Sequence, residues 1–195
     1  MIEVVGYALR RDAPYTRVMH QDSSIPGPDP RDLPGRFQHR IDINVRFADT
    51  DAMGHVNNAV YLTYCEIARI RYWTDVTGQP IALGTKGAES LILAEARITY
   101  RAPAFHGEIV TVETRATRIG RTSFTLEHRL LAAEAGAAEA GAAEAGAAEA
   151  GAAPRLVAVS ESVLVRYDYA SAKPVALSPS HIDAIEGFEG RPLRG

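Results

Sequence analysis

Residues 49–58, which read Asp-Thr-Asp-Ala-Met-Gly-His-Val-Asn-Asn, concentrate side chains that can attack or polarise a carbonyl group. The candidates are two carboxylates, one imidazole and two amides: Asp49, Asp51, His55, Asn57 and Asn58. A carboxylate can act as a nucleophile or as a general base, and a histidine can move protons near neutral pH. Three interpretations compete: a metal-binding loop, a helix cap without chemical function, and a catalytic site.

The metal-binding interpretation fits the spacing poorly. An EF-hand calcium loop starting at Asp49 needs an oxygen ligand at its fifth position and a glutamate at its twelfth, but Met53 and Val60 stand there. Phosphoryl-transfer sites of the haloacid-dehalogenase type also have Asp-x-Asp after a strand, and they usually have threonine or valine in place of Met53. Cys65 is the only cysteine, so neither a multi-cysteine metal site nor an internal disulfide can form. We therefore expect no metal at this loop.

The capping interpretation explains the two asparagines but not the residues before them. Asn57 or Asn58 precedes a helical pattern over residues 58–76, and an asparagine side chain at that place accepts a hydrogen bond from a free N–H group of the first turn. Asp51 and His55 lie upstream of the cap. Capping therefore leaves their presence unexplained.

One long helix and five strands are predicted around this stretch. Apolar and aromatic residues recur at three- and four-residue steps along the helix and make one face: Tyr61, Tyr64, Cys65, Ala68 and Tyr72. Strand patterns occupy residues 41–47, 90–102, 108–119, 122–132 and 155–168. An antiparallel sheet of such strands has an apolar face that must be covered, and the helix can cover it. We predict an α+β domain in which a curved sheet wraps one helix.

The domain is predicted to span residues 38–170, with an extension at each end and one low-complexity insert. The extension over 1–37 has a proline- and glycine-rich second half typical of a flexible linker, although its first residues also suit a short strand or a leader ahead of a start at Met19. The insert over 132–153 repeats Ala-Ala-Glu-Ala-Gly, whose glutamates advance by ~140° each on a helix and so leave no apolar face. Residues 171–195 are assigned to a C-terminal tail.

The composition narrows the class of partner. Apolar residues make up 46% of the 195 residues and the net charge is -3, with no long block of lysine and arginine, so a nucleic-acid partner is not expected. No run of ~18 apolar residues is present to span a membrane, and no secretory signal pattern is visible. Together with the single cysteine, these features favour a soluble cytoplasmic protein.

The run "DTDAMGHVNNAVYLTYCEIAR" (49–69) is similar to the signature of the hotdog-fold thioesterases, in particular the 4-hydroxybenzoyl-CoA thioesterase-like family. The run "ITYRAPAFHGEIVTVET" (98–114) resembles the same family's second strand, its Tyr-x-x-Pro-Ala turn and its entry to strand three, with Glu108 in place of aspartate. The resemblance implies a hotdog fold, in which a five-stranded antiparallel sheet wraps one long central helix. It also implies hydrolysis of an acyl-CoA without a cofactor, in a homodimer or homotetramer whose acyl site lies between subunits.

The resemblance assigns roles to four residues. In the resembling enzymes the second aspartate of the pair is the nucleophile or general base, which here is Asp51. The backbone N–H groups at the start of the helix, around Asn57 and Asn58, would bind the substrate and polarise its thioester carbonyl. His55 matches the histidine of a similar run in plant acyl-carrier-protein thioesterases, where an Asp, an Asn and a His are assigned to the site. Met53 replaces that asparagine, so the predicted catalytic residues are Asp51 and His55.

Two other functions remain open at the level of sequence: an acyl-carrier-protein thioesterase that uses the same residues, and a non-catalytic acyl-CoA-binding module. A hotdog hydratase fits less well, because that family separates its Asp and His by four residues and this chain has three between Asp51 and His55. Asp49 is expected to hold the loop, and Glu66 and Arg69 to form an ion pair on the helix.

Overall fold

The computed structural model describes residues 2–5, 33–81, 89–134 and 154–194. The strands are β1 (Ile2–Val5), β2 (His39–Asn44), β3 (Glu89–Tyr100), β4 (Glu108–Ile119), β5 (Ser123–Glu134), β6 (Arg155–Asp168) and β7 (Lys173–Pro174), and the helices are α1 (Asn58–Thr77) and α2 (Pro179–Glu189). The five long strands form one antiparallel sheet in the order β3-β6-β5-β4-β2, with α1 packed on it. This confirms the predicted α+β hotdog fold.

Two short strands extend the sheet beyond the five predicted ones. β1 pairs in parallel with β3, which agrees with the strand alternative for the first residues of the chain. β7 pairs with the end of β6. Of the predicted insert, residues 132–134 finish β5, and 135–153 lie outside the described residues.

The first long strand ends earlier than its sequence pattern indicates. β2 stops at Asn44, and Phe47–Asp49 form a turn of 3-10 helix instead of continuing the strand to residue 47. The turn forms because the Asp49 carboxylate accepts a hydrogen bond from the Arg46 backbone N–H at 3.0 Å. The chain thereby leaves the sheet and enters the loop that precedes α1.

Helix α1 begins after one of the two asparagines that the sequence identifies as possible caps. The Asn57 Oδ1 atom accepts the Ala59 N–H at 2.9 Å, so Asn57 is the N-cap. Gly78 ends the helix with a left-handed backbone (φ 68°), a conformation that glycine adopts without a steric penalty. All five residues of the predicted apolar face are buried. Arg69 and Glu66 form the expected ion pair at 2.8 Å.

Replacing the N-cap tests this local contribution to stability. Asn57→Ala removes the acceptor for the Ala59 N–H and should lower the free energy of unfolding by about 1 kcal/mol, as side-chain caps typically contribute. Urea denaturation measures the change. Asn57→Asp keeps an acceptor at the same place and should lose much less, so equal losses in the two variants would contradict the capping role.

A row of polar side chains crosses the sheet beneath α1 and divides the core. His39, Thr114, His128 and Ser160 are cross-strand neighbours on β2, β4, β5 and β6, and all four are buried. The apolar cluster on one side surrounds the first half of α1, and the cluster on the other side surrounds Tyr72 near its end. The Thr114 hydroxyl lies 3.0 Å from His128 Nδ1, within hydrogen-bond distance.

The C-terminal residues, which the sequence assigns to a tail, complete the second apolar cluster. Leu177, Ile185 and Leu193 are buried in it, the last two on and after α2. The Glu189 carboxylate accepts the Tyr72 hydroxyl at 2.6 Å and the Ala116 N–H at 2.7 Å, which fixes α2 to both α1 and β4. The packed core therefore continues beyond residue 170, where the sequence places the end of the domain.

Candidate active site

The loop between β2 and α1 is closed by two backbone hydrogen bonds. The Asp51 N–H donates to the His55 carbonyl at 3.0 Å, and the Asn57 N–H donates to the Asp49 carbonyl at 2.9 Å. Gly54 completes a tight turn whose N–H donates to the Asp51 carbonyl, and its φ of 80° favours glycine. This closure brings Asp51 and His55, four residues apart, side by side at the base of the loop.

The Asp51 carboxylate has one occupied and one available oxygen. Its Oδ1 accepts the Met53 N–H at 2.8 Å, which fixes the side chain. Its Oδ2 lies 3.7 Å from His55 Nδ1, which is too far for a good direct hydrogen bond. The two side chains are 27% and 19% exposed, so a substrate can reach both. The structure thus brings the two predicted catalytic residues together.

The two predicted amide residues, Asn57 and Asn58, differ in whether their backbone N–H groups are available to a ligand. The Asn57 N–H is bonded to Asp49 and its side chain caps the helix, so both are already engaged. Asn58 is the first residue of α1, and its backbone N–H has no protein acceptor among the described residues. Its carbonyl accepts the Tyr100 hydroxyl at 2.7 Å, which anchors the helix start. Of the pair, the Asn58 N–H is the donor available to a ligand at the positive end of the helix dipole.

Asp49 stabilises the loop through its buried side chain, as expected from the sequence. Its side chain is buried and accepts hydrogen bonds from the Arg46 guanidinium at 2.7 Å and from the Tyr64 hydroxyl at 2.9 Å. The Arg46 side chain, through these hydrogen bonds, lowers the pKa of Asp49 below its ordinary value. Burial and the adjacent Asp49 carboxylate raise the pKa of Tyr64. The Asp49 carboxylate therefore stabilises the loop and is not positioned to react with a substrate.

The turn between β3 and β4 also supports the loop that carries Asp51. The sequence pattern predicted this turn only as a connection between two strands. The Val56 N–H donates to the Ala104 carbonyl at 2.8 Å, and His55 forms an antiparallel bridge with Phe105. The Ala104 N–H donates to the buried Tyr61 hydroxyl at 3.0 Å. Burial raises the pKa of Tyr61 to about 12, so its hydroxyl stays protonated. In the sequence, only the Pro-Ala pair of this turn pointed to its contact with the active-site loop.

Two apolar side chains between β2 and α1 are exposed to solvent. Phe47 is 79% exposed and Met53 is 58% exposed, although both are large and apolar. Two clefts lined by described residues lie elsewhere, one beside Trp73 and one beside Phe188, and neither includes Asp51. The Asp51 side chain itself is 27% exposed.

The single cysteine lies in the core and not beside the loop. Cys65 is buried, and burial raises the pKa of its thiol to about 12, so it is a packing residue and not a thiolate nucleophile. Within the described ranges, no three His, Cys, Asp or Glu side chains are grouped so that they could hold a metal ion. Neither α1 nor α2 combines the length and the apolar character that crossing a membrane requires.

Comparison with known proteins places the chain in a family. The model of the thioesterase-like superfamily matches residues 45–185. The 1,4-dihydroxy-2-naphthoyl-CoA hydrolase of Synechococcus elongatus is 33% identical over 90 residues, which are 44% of this chain and 64% of that protein. A Thermus thermophilus thioesterase, solved with coenzyme A and Zn, is 30% identical with a TM-score of 0.59 over 80% of this chain and 98% of that one. A Synechocystis 1,4-dihydroxy-2-naphthoyl-CoA thioesterase shares the fold at 21% identity, with a TM-score of 0.57 over 75% and 93%. By the extent of these matches, the chain belongs to the thioesterase-like superfamily.

Proposed function

We propose that the protein hydrolyses an acyl-CoA thioester to a free acid and CoA. The observation that carries the proposal is a partly exposed carboxylate, Asp51, held beside His55 in the loop that leads into helix α1, whose first residue, Asn58, has an available N–H. Membership of the thioesterase-like superfamily supports this chemistry, as do the named activities of the relatives.

The unoccupied oxygen of Asp51 begins the reaction in one of two ways. As a nucleophile, Oδ2 attacks the thioester carbonyl, the C–S bond breaks, CoA leaves as a thiolate, and water hydrolyses the acyl-aspartyl anhydride to the free acid. As a general base, the same oxygen takes a proton from the water that attacks the carbonyl. His55, next to Asp51, orients the carboxylate or the water. The leaving thiolate needs little protonation, because thiol pKa values lie near ~8.5.

The helix start stabilises the negative charge that develops on the carbonyl oxygen. In either route the carbonyl passes through a tetrahedral oxyanion, which backbone N–H donors and a helix dipole stabilise. The Asn58 N–H supplies such a donor. We assign Asn57 a supporting role, because its hydrogen bonds with Ala59 and Asp49 set the position of Asn58.

We propose an aromatic acyl group as the preferred substrate and a homodimer or homotetramer as the active form. The curated relative at 33% identity is named for a naphthoyl-CoA. Phe47 and Met53, which flank Asp51 in the sequence, expose apolar surface that is suited to contact an aromatic ring or a second subunit. An acyl site completed by a partner subunit would account for the exposure of these two apolar side chains in the single chain. The cytoplasmic location stays a prediction from the sequence.

Release of free thiol from a panel of thioesters tests the function. The panel contains short, medium, long and aromatic acyl-CoAs, and the best acyl group is also presented on an acyl carrier protein. We expect turnover of acyl-CoAs, fastest with an aromatic group, by a protein that light scattering shows to be a dimer or tetramer. Turnover of the carrier-protein thioester alone would move the assignment to that substrate. No thiol release from any thioester by folded protein would favour an acyl-CoA-binding module.

A further inference from the structure

Glu108 and Arg155 form a two-point ion pair near the active-site loop. Arg155 Nη1 lies 2.9 Å from one carboxylate oxygen of Glu108, and Nη2 lies 2.7 Å from the other. The pair joins the first residue of β4 to the first residue of β6, two strands that have β5 between them. The Glu108 side chain is only 11% exposed, and paired N–H···O bonds of this kind fix both side chains in orientation as well as distance.

Both members of the pair also hold the turn before β4. The second oxygen of Glu108 accepts the Phe105 N–H at 2.8 Å. The Nη2 atom of Arg155 donates to the Pro103 carbonyl at 2.7 Å, and its guanidinium lies 5.7 Å from the centre of the Phe105 ring. These contacts fix the residues on either side of Ala104.

Ala104 and Phe105 are the residues of this turn that meet the active-site loop. The Ala104 carbonyl accepts the Val56 N–H at 2.8 Å, and Phe105 is paired with His55. His55 in turn closes the loop, because its carbonyl accepts the Asp51 N–H. The chain of contacts therefore runs from the ion pair through the turn to both predicted catalytic residues.

We propose that Glu108 and Arg155 are positioning residues of the catalytic site: their ion pair holds the 103–105 turn, and the turn fixes His55 and the base of the loop that carries Asp51. The proposal rests on the proposed function for its effect on turnover. Small displacements of a reacting group affect the transition state more than substrate binding, so the loss should appear in kcat.

Glu108→Gln tests the proposal against a matched control. Glutamine can still accept the Phe105 N–H but loses the ionic bond to Arg155, and we expect kcat to fall about 10-fold with KM changed less than about 2-fold. Glu113→Gln is the control: Glu113 lies on the same strand and forms a similar close ion pair with Arg129 (2.6 Å), away from the turn. It should leave kcat unchanged. Glu108→Asp, which keeps the charge, should recover part of the loss.

A second readout separates this proposal from the proposed function. The imidazole signals of His55, identified by their loss in His55→Gln, are recorded by NMR in each variant. They should shift in Glu108→Gln and stay in place in Glu113→Gln, whether or not a substrate is turned over. Equal effects of the two variants, or unmoved His55 signals in Glu108→Gln, would overturn the positioning role. A wild type without turnover would instead defeat the proposed function, and the NMR comparison would still decide the positioning role.

Discussion

Replacing Asp51 by asparagine should lower kcat for thioester hydrolysis by at least about 100-fold, the scale of a positioned nucleophile or general base. The substitution keeps the size of the side chain, and its amide oxygen can still accept the Met53 N–H that now binds Oδ1 at 2.8 Å. The loop should therefore keep its shape. An amide cannot attack the carbonyl or take a proton from water, so the loss reports the missing carboxylate. Steady-state rates with the best acyl-CoA measure it.

Asp42→Asn is the control for this loss. Asp42 lies on β2, where its carboxylate accepts the Thr111 hydroxyl at 2.6 Å on an exposed face of the sheet. Its replacement also removes one negative charge but should leave kcat unchanged. If Asp51→Asn and the wild type turned over at the same rate, the chemistry would lie on another residue, and His55 would be the first to replace.

The two roles of Asp51 differ in the fate of a water oxygen. In a single turnover in ¹⁸O-water, a general base directs the labelled oxygen into the acid product, because the attacking water supplies it. A nucleophile forms an anhydride first, and attack of water on its aspartyl carbonyl leaves the label in the enzyme. Mass spectrometry of the peptide that contains Asp51 detects this label, and the label found there would establish the nucleophile.

Local patterns predicted the elements that carry the site. The strands over 108–119 and 155–168 have the predicted bounds, and α1 ends one residue later than predicted. Alternation and helical periodicity depend on neighbouring residues, which the sequence lists directly. The family resemblance assigned both Asp51 and His55 to the site, and the hydrogen bond from the Asp51 N–H to the His55 carbonyl holds the two residues together.

Contacts between distant residues were not predictable in this way. The Asn57 N–H is engaged by Asp49 only because the loop folds back on itself, and the role of the turn at Ala104 depends on its contact with Val56. The docking of α2 depends on the bond between Tyr72 and Glu189, 117 residues apart. The residues of each pair are either far apart in the sequence or brought together by the local backbone conformation. A sequence pattern within one segment therefore cannot predict the contact.

The buried polar row also comes from four separate strands, and it predicts how stability depends on pH. His128 is fully buried, and burial lowers the pKa of its imidazole to about 3. The Arg69 guanidinium and the neighbouring His39 imidazole act on this pKa in the same direction. In the unfolded chain the imidazole has its ordinary pKa of about 6.5. The folded protein therefore keeps His128 neutral over a range in which the unfolded chain binds a proton.

The free energy of unfolding should fall by about 2 kcal/mol between pH 7 and pH 5 because of this one residue. Above about pH 6.5 both states are neutral at His128 and its contribution is complete. Below that pH only the unfolded state gains the proton, so stability decreases by up to about 1.4 kcal/mol for each pH unit until the folded pKa of about 3 is reached. Urea denaturation at pH 7, 6 and 5 measures the slope.

A variant that cannot titrate isolates the contribution of His128. His128→Gln keeps a side-chain oxygen near the Thr114 hydroxyl, and we expect it to lose about 2 kcal/mol less than the wild type between pH 7 and pH 5. His106→Gln removes an exposed imidazole and should keep the wild-type slope. An unchanged slope in His128→Gln would mean that the folded protein protonates His128. The polar row would then be hydrated, and the division between the two apolar clusters would be a path for water into the core.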